Sequence, residues 1–302
     1  METLISFIAE PLSLDFMRRA FFMSASVGIV CSIFSCFLVL KGWSLMGDAV
    51  SHAILPGMAF AYLISVPIAL GAFASGLFCA LAIGFLKQNS RIKEDAIMGI
   101  VFSGMFAAGL VMVSKIETDF HLLHVLFGNV LGISKGDIIE TTLIGAVCTI
   151  VMLAKRRDLA LHCFDEIHAS VIGLPVKALH FSFLVLLALT IVAALKAVGI
   201  ILVVAMLVAP GAIGYIFARS FDQMLLIAVS TTLFSCFSGV LISYHFDAAT
   251  GPLIVVIEAL LFIVPVLITR ILKLGELEKA VQPTPLSAGV FRTPIGSERE
   301  KL

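Results

Sequence analysis

Nine long apolar runs limit what this chain can fold into. They cover approximately residues 17–40, 48–64, 67–86, 96–113, 138–154, 177–196, 199–217, 223–244 and 251–273. A helix that crosses the hydrocarbon core of a membrane needs roughly 20 apolar residues, whereas transmembrane β-strands alternate over segments of about ten. Because 60% of the 302 residues are hydrophobic and 13% are charged, one soluble core could not bury all nine runs. The sequence therefore predicts an all-α, polytopic transmembrane bundle of about eight or nine spans.

Two basic loops predict the orientation of these spans. "KQNSRIKED" (87–95) and "AKRRD" (154–158) concentrate lysine and arginine, and short loops of this kind stay on the cytoplasmic side of the membrane. Counting spans from these loops places residues 41–47 and residues 220–223 on the same side. The same count puts the N-terminus outside and the C-terminus inside.

The end of the chain differs in composition from the rest. We expect the membrane domain to cover residues 1–274. The segment 275–302 is polar and contains three prolines and four glutamates. Such a segment cannot bury enough apolar surface to fold by itself, so the sequence predicts a disordered cytoplasmic tail.

One of the apolar runs opens with two ionisable side chains. "MGDAVSHAILPG" (46–57) places Asp48 and His52 four residues apart, so that on a helix they share one face. A carboxylate oxygen and an imidazole nitrogen suit Mn²⁺, Fe²⁺ or Zn²⁺. The alternative is that Asp48 caps the helix and His52 is a satisfied interior histidine, and the spacing alone leaves both interpretations open. Pro56, one turn later, should free backbone carbonyl oxygens near the pair.

A third ionisable residue lies in the last apolar run. Glu258 occurs within "GPLIVVIEALLFIVPVLI", where a lone carboxylate must be protonated or find a partner. Ionisable residues inside a membrane are candidates for function. We consider Glu258 a third metal ligand beside Asp48 and His52, or else a polar contact that joins two helices.

The loop "KIETDFHLLH" (115–124) collects further potential ligands. It contains Glu117, Asp119, His121 and His124, and the span count places it on the outer side. These residues could form an ion-collecting mouth or a docking surface, or they could simply belong to a solvated loop. The stretch 121–133 that follows is apolar but too short to span a membrane.

The segment "FDEIHASVIGLP" (164–175) is too polar to span and too apolar to be a linker. Asp165 and Glu166 favour a helix start, and Gly173 and Pro175 favour its end. The apolar positions between them are amphipathic. The sequence predicts a short helix on the cytoplasmic face, which either docks a partner or lies in the membrane interface.

Several motifs are missing from the sequence. There is no G-x-x-x-x-G-K-[ST], so this chain does not bind ATP through a P-loop. There is also no H-E-x-x-H and no G-x-S-x-G, which speaks against an enzyme that works within the membrane. The net charge is zero and suggests no nucleic-acid partner. The six cysteines form no C-x-x-C pair, and we expect them to be small buried hydrophobes.

The segment "VLKGWSLMGDAVSHAILPGMAFAYL" (39–63) resembles the signature of the ABC-3 family of metal-importer permeases. "FDEIHASVIGLP" (164–175) is similar to the cytoplasmic coupling segment of that family. "LLHVLFGNVLGIS" (122–134) and "GIILVVAMLVAPGAIGY" (199–215) resemble further family blocks. The resemblance runs in order over about residues 10–275. It is closest to the enteric manganese/iron branch of the Sit/Yfe type.

This resemblance implies a transport subunit in the bacterial inner membrane. It would import Mn²⁺ and/or Fe²⁺ by alternating access and hold no permanent cofactor. Its partners would be a second permease, identical or paralogous, two separate ATP-binding cassette subunits and a periplasmic or lipoprotein metal-binding protein. Asp48 and His52 would contact the metal. Contact with the ATPase would involve Phe164, Asp165, Glu166, Ala169, Gly173 and Pro175.

The chain departs from the family pattern in one loop: members often carry a pair of basic residues where this chain has Lys41 and Gly42, so this loop supports an inner placement less strongly. Other functions also remain open. The alternatives are an ABC permease for Zn²⁺ or for metal complexes such as siderophores or cobalamin, and a proton-coupled secondary transporter. A secondary transporter would use Glu258 as the proton carrier and would need no ATPase.

Overall fold

A computed structural model describes residues 10–11, 13–115 and 135–281 of the chain. The described residues form eleven helices and contain no strand, which confirms the all-α prediction. The helices are α1 (Asp15–Lys41), α2 (Met46–Leu63), α3 (Ile68–Asn89), α4 (Glu94–Val113), α5 (Lys135–Ala154), α6 (Arg156–Phe164), α7 (Glu166–Val171), α8 (Val176–Val198), α9 (Ile200–Phe217), α10 (Phe221–Phe246) and α11 (Thr250–Val281).

Two of the predictions fall wholly or partly outside the described residues. The four candidate mouth residues, Glu117, Asp119, His121 and His124, lie there, as does the short stretch 121–133. At the other end of the chain, α11 continues to Val281, beyond the predicted boundary at 274. The sequence "LGELEKAV" explains this, because leucine, glutamate, lysine and alanine all favour helix. Residues 282–302 lie outside the description.

Eight of the helices are long and apolar enough to cross a membrane. They are α1, α3, α4, α8, α9, α10, residues 136–154 of α5 and residues 250–267 of α11. This confirms the prediction of a polytopic membrane protein. Helix α2 is not among the eight, although an apolar run was expected there. The first three turns of α2 contain Asp48, Ser51, His52 and Pro56, and most residues of the helix are buried against other helices.

Helix α2 is held mainly by α3 and α4, while α1 packs against α9 and α10. The contact of α2 with α3 is a backbone contact, because Gly57 and Gly71 face each other and a Cβ on either would collide with the carbonyl oxygen of the other. Gly109 of α4 approaches in the same way, since its Cβ would lie 2.8 Å from the nitrogen of Pro56. Small residues therefore let three helices pack closely around α2.

One end of the compact unit formed by residues up to Phe262 carries basic side chains, and we call it the basic face. Trp43 Nε1 donates to Glu94, Lys41 Nζ lies 3.0 Å from His162 Nε2, and Arg156 Nε donates to Asp222 at 3.0 Å. These contacts confirm that loops 41–47, 87–95, 154–158 and 220–223 lie at one end.

The opposite end is marked by an ion cluster between α5 and α8. Lys196 Nζ lies 2.7 Å from Asp137 Oδ1 and 2.9 Å from Glu140 Oε2. The first turn of α5 and the last turn of α8 therefore meet away from the basic face. All six cysteines are buried and unbridged, as the sequence predicts.

Candidate functional site

The start of α2 is fixed by the way α1 ends. Gly42 adopts φ +73°, its N–H donates to Val39 O at 3.1 Å, and the N–H of Trp43 donates to Leu38 O at 2.8 Å. This pair of bonds is a Schellman motif with a left-handed residue after the helix. A residue with a side chain is strained at this φ, which favours glycine at position 42. Met46 then donates to Trp43 O at 2.9 Å, and α2 begins.

Asp48 and His52 lie on one face of the first two turns of α2. Asp48 Oδ1 is 3.3 Å from His52 Nε2, and the two side chains are 34% and 27% exposed. The residue that caps the helix is Leu45, with no side-chain hydrogen bond at the cap. The interpretation of Asp48 as the helix cap is therefore wrong. As the third residue of the helix, Asp48 still profits from the positive end of the helix dipole.

Two phenylalanine rings of α4 lie beside the His52 ring and restrict its orientation. The centroid of Phe106 of α4 lies 5.2 Å from that of His52, nearly edge-on, and Phe102 lies at 6.0 Å. Pro56 has no N–H to give to the carbonyl oxygen of His52, four residues earlier. Together the pair and this carbonyl offer a carboxylate oxygen, an imidazole nitrogen and a backbone oxygen, which are ligands that Mn²⁺ and Fe²⁺ accept.

The structure does not bring Glu258 into a common ligand group with this pair. Within residues 10–11, 13–115 and 135–281, no three His, Cys, Asp or Glu residues are arranged to hold one metal ion. Glu258 is fully buried near Cys31 of α1 and near Thr232 and Cys236 of α10. Neither of its carboxylate oxygens forms a hydrogen bond of ordinary geometry with a described residue.

The segment predicted to contact a partner is a short, sharply capped helix. The carboxylate of Asp165 accepts the N–H of His168 at 2.9 Å, which caps the start of α7. At the other end, Gly173 has φ +85°, and the N–H of Leu174 donates to Ala169 O at 3.1 Å, again as in a Schellman motif. The predicted segment 164–175 thus comprises the end of α6, the six-residue helix α7 and a turn into α8.

The apolar side chains of this segment point outward. Phe164, Ile167 and Val171 are 78%, 79% and 78% exposed, whereas Ala169 is fully buried. Asp165 and Glu166 are exposed, and Pro175 stands immediately before α8. An exposed apolar surface of this kind, on a helix held by caps at both ends, is typical of a docking site.

A polar cluster that was not predicted lies beside this segment. His162 of α6 is almost fully buried, and its ring centroid lies 5.8 Å from that of His180 of α8. The ring of His180 stands edge-on to Trp43 at 5.7 Å, and Lys41 Nζ lies 4.6 Å from the centre of the Trp43 ring. Burial first, and then the Lys41 ammonium, lowers the pKa of His162 to about 4.

Neither His162 nor His180 stands in a motif, and the helix that carries His162 was not predicted at all. Its sequence, "RRDLALHCF", is short and mixed in polarity. The one available signal was composition, because Trp43 is the only tryptophan in the chain and lies in a turn.

Eight span-length helices define a multi-span membrane protein, and the capped segment with its exposed apolar surface gives it a candidate docking site. A family model confirms this class and makes it more specific. The model described as the ABC 3 transport family matches residues 13–269, and the chain belongs to that family. It is a membrane permease of an ABC transporter.

Similar proteins agree with this assignment. The chain is 56% identical over 288 residues to the chelated iron transport system membrane protein YfeD of Yersinia pestis, covering 94% of this chain and 97% of that protein. It is 52% identical over 257 residues to the manganese transport system membrane protein MntB of a Synechocystis strain, covering 85% and 84%. Among solved structures, PsaBC from Streptococcus pneumoniae in complex with Fab matches with a TM-score of 0.76 and 35% identity, over 86% of this chain and 94% of the matched chain.

Proposed function

We propose that this chain is the permease subunit of an ATP-driven importer that moves Mn²⁺ and/or Fe²⁺ across the bacterial inner membrane by alternating access. The observation that carries the proposal is the Asp48–His52 pair, two partly exposed ionisable side chains that lie together on one face of an otherwise apolar helix. Its support comes from the names of similar proteins, which are iron and manganese transport system membrane proteins.

Asp48 and His52 form a transient site for the ion. The carboxylate attracts the cation and the neutral imidazole nitrogen completes a borderline-hard pair. Two protein side chains leave most coordination positions to water. This suits a conducting site, because an ion must bind well enough to enter and weakly enough to leave. His52 lies six residues along α2 from Met46, about 9 Å from the start of the helix at 1.5 Å per residue.

The basic face is the cytoplasmic face in this proposal, because positive loops remain inside. The exposed apolar residues Phe164, Ile167 and Val171 then dock on a separate ATP-binding cassette subunit, which hydrolyses the ATP that this chain has no P-loop to bind. On the outer side, a periplasmic or lipoprotein metal-binding protein delivers the ion near Glu117, Asp119, His121 and His124. A second permease subunit completes the path.

The proposal is tested by metal uptake in proteoliposomes that contain the assembled importer with its binding protein. Asp48→Asn and His52→Gln each keep the size of the side chain but remove one ligand. We expect each variant to lower ATP-driven Mn²⁺ uptake about tenfold or more at limiting metal, which corresponds to a loss of about 1.4 kcal/mol. Asp15→Asn is the matched control, because Asp15 is an exposed carboxylate in the first turn of α1, and it should leave uptake unchanged.

Other outcomes would point elsewhere. Uptake at the wild-type rate in both ligand variants would show that the ion does not use this pair. Uptake by vesicles that hold this chain alone, driven by a proton gradient, would indicate a secondary transporter. Inhibition by a siderophore or cobalamin and not by free Mn²⁺ would indicate a permease for metal complexes, and preferential inhibition by Zn²⁺ would move the substrate to zinc.

A further inference from the structure

The polar cluster at the basic face joins two parts of the chain that the proposed transport mechanism must link. One part is α6, whose last residue, Phe164, begins the docking segment. The other is the turn after α1, which leads into α2 and Asp48. His162 stands two residues before Phe164, and Trp43 stands five residues before Asp48. The contacts between these two places are direct and run through side chains.

The first contact is between Lys41 and His162. Lys41 Nζ donates to His162 Nε2 at 3.0 Å, because an ammonium group can only donate and a neutral imidazole nitrogen can accept. His162 is 1% exposed, so its ring cannot exchange this bond for one to water while α6 stays in place. A displacement of α6 must therefore pull on Lys41 or break the bond.

The second set of contacts holds Trp43. Its ring is 1% exposed and has the ammonium groups of Lys41 and Lys87 at 4.6 Å and 5.4 Å from its centre, within the range of cation–π attraction. The indole N–H donates to Glu94, which also pairs with Lys87. Trp43 is thus held by two ammonium groups and by the bond of its indole N–H, and the N–H of Met46, the first residue of α2, bonds to its carbonyl oxygen at 2.9 Å.

The cluster also contains two buried polar atoms that have no hydrogen-bond partner in this arrangement of the described residues. The Nδ1 atoms of His162 and His180 are buried and have no hydrogen-bond partner among the described residues. The two rings lie 5.8 Å apart. Buried polar groups of this kind cost free energy until they are paired, so a second arrangement of α6 against α8 can regain what the first leaves unpaired. Packed elements with two discrete arrangements are what carries a conformational signal through a protein.

We propose that His162, through Lys41 and Trp43, is a positioning residue that transmits movement of the docking segment to the start of α2 and so to Asp48. This inference rests on the proposed function, since it assumes that ATP hydrolysis in a partner drives metal transport. His162 does not contact the transported ion. His162 instead acts through Lys41 and Trp43 on the position of the turn from which α2 begins.

The test measures two rates in the same proteoliposomes of the assembled importer: ATP hydrolysis stimulated by the binding protein, and Mn²⁺ uptake. His162→Leu keeps a buried side chain but removes the acceptor. We expect uptake per ATP hydrolysed to fall about tenfold while hydrolysis stays within about twofold of wild type. His162→Gln places an amide oxygen where it can accept from Lys41 and should restore most of the ratio.

Two further variants keep the test decisive. Leu159→Met changes a buried residue of α6 with little change in volume, so it should leave the ratio unchanged. If His162→Leu does not assemble, Trp43→Phe takes its place, because it keeps an aromatic ring and removes the indole N–H. It should lower the ratio in the same direction.

The outcomes separate this inference from the proposed function. If the wild-type importer takes up no metal with ATP, the proposed function itself fails. If the wild type transports and His162→Leu or Trp43→Phe lowers hydrolysis and uptake in proportion, or leaves both intact, the cluster transmits nothing and the inference is overturned. A ratio that falls in both His162→Leu and His162→Gln to the same extent would also contradict it, because the acceptor would then be irrelevant.

Discussion

Helices α2 and α9 contain the same interruption and use it differently. Each has a Pro-Gly pair in its middle, Pro56–Gly57 in α2 and Pro210–Gly211 in α9. A proline leaves the carbonyl four residues before it without an intrahelical N–H. In α2 that carbonyl belongs to His52, whose side chain is half-exposed beside Asp48. In α9 it belongs to Met206, which is fully buried in the core.

A serine from a neighbouring helix supports each interruption. Ser35 of α1 reaches into α9, where its hydroxyl accepts the N–H of Gly211 at 2.9 Å and lies 3.1 Å from Val208 O. Ser75 of α3 donates to Ala53 O of α2 at 2.6 Å. The comparison teaches that a Pro-Gly break in a helix is not by itself a transport site. The break becomes a candidate metal site when the residue one turn earlier has an accessible side chain that can bind a metal ion.

The largest effect on stability should come from substituting Gly57 and Gly211, which occupy equivalent positions in α2 and α9. An added Cβ would collide with Gly71 and Ser75 at Gly57, and with the backbone of Ser35 at Gly211. We expect Gly57→Ala and Gly211→Ala each to lower the free energy of unfolding by about 3 kcal/mol, as overpacking does. Thermal unfolding of the purified full chain in detergent measures this.

Gly99 of α4 provides the control for both glycine variants. A Cβ there meets no atom within 4 Å, so Gly99→Ala should be neutral or stabilise the helix by up to about 1 kcal/mol. If Gly211→Ala proved as stable as Gly99→Ala, α1 and α9 would not approach as closely as described, and the two breaks would no longer be alike in packing.

The next effect should separate the two prolines by function. Pro56→Ala returns an N–H to the carbonyl of His52 and so removes one potential oxygen ligand from the proposed ion site. We expect it to lower Mn²⁺ uptake by the assembled importer about tenfold, or about 1.4 kcal/mol, without loss of folded protein. Pro210→Ala likewise supplies an N–H for the carbonyl oxygen of Met206. It should change uptake per folded importer by less than about twofold. Equal losses in the two variants would break the distinction drawn here.

The smallest effect concerns the supporting serines. Ser35→Ala removes two bonds, a buried one from the N–H of Gly211 and one to Val208 O. Ser75→Ala removes a single bond to Ala53 O. We therefore expect Ser35→Ala to lower the free energy of unfolding by about 1 kcal/mol and Ser75→Ala by less. The same detergent unfolding experiment decides, and the reverse order would show that α2 depends more on its serine than α9 does.

The spans could be predicted closely from the sequence. The run expected over 199–217 is helix Ile200–Phe217, and the run over 223–244 is Phe221–Phe246. Continuous apolar runs with glycine, proline or charge at their ends leave few other solutions in a membrane. Helix α6 was missed because it is only nine residues long and neither clearly apolar nor clearly polar.

The candidate site was predictable only where its residues are close in sequence. Asp48 and His52 are one helical turn apart, so spacing alone proposes the pair, yet the backbone at Leu45 was needed to exclude a capping role for Asp48. Glu258 looked like a third ligand because it is a carboxylate in a membrane span, and the packing places it near Thr232 instead. The cluster of Lys41, Trp43, His162 and His180 joins positions up to 139 residues apart in the sequence. No local sequence pattern predicts such a contact.

The ionisable start of α2 has a consequence for how the protein is made. Each charged residue opposes the insertion of a helix into lipid, so we expect neighbouring helices to assist the insertion of α2, which carries Asp48 in its first turn. Here Gly71 and Gly109 fit against its backbone as those neighbours close in. In the proposed mechanism the ion path is therefore completed late in assembly, and we expect the newly made chain to offer ions no polar route through the bilayer before α3 and α4 have packed against α2.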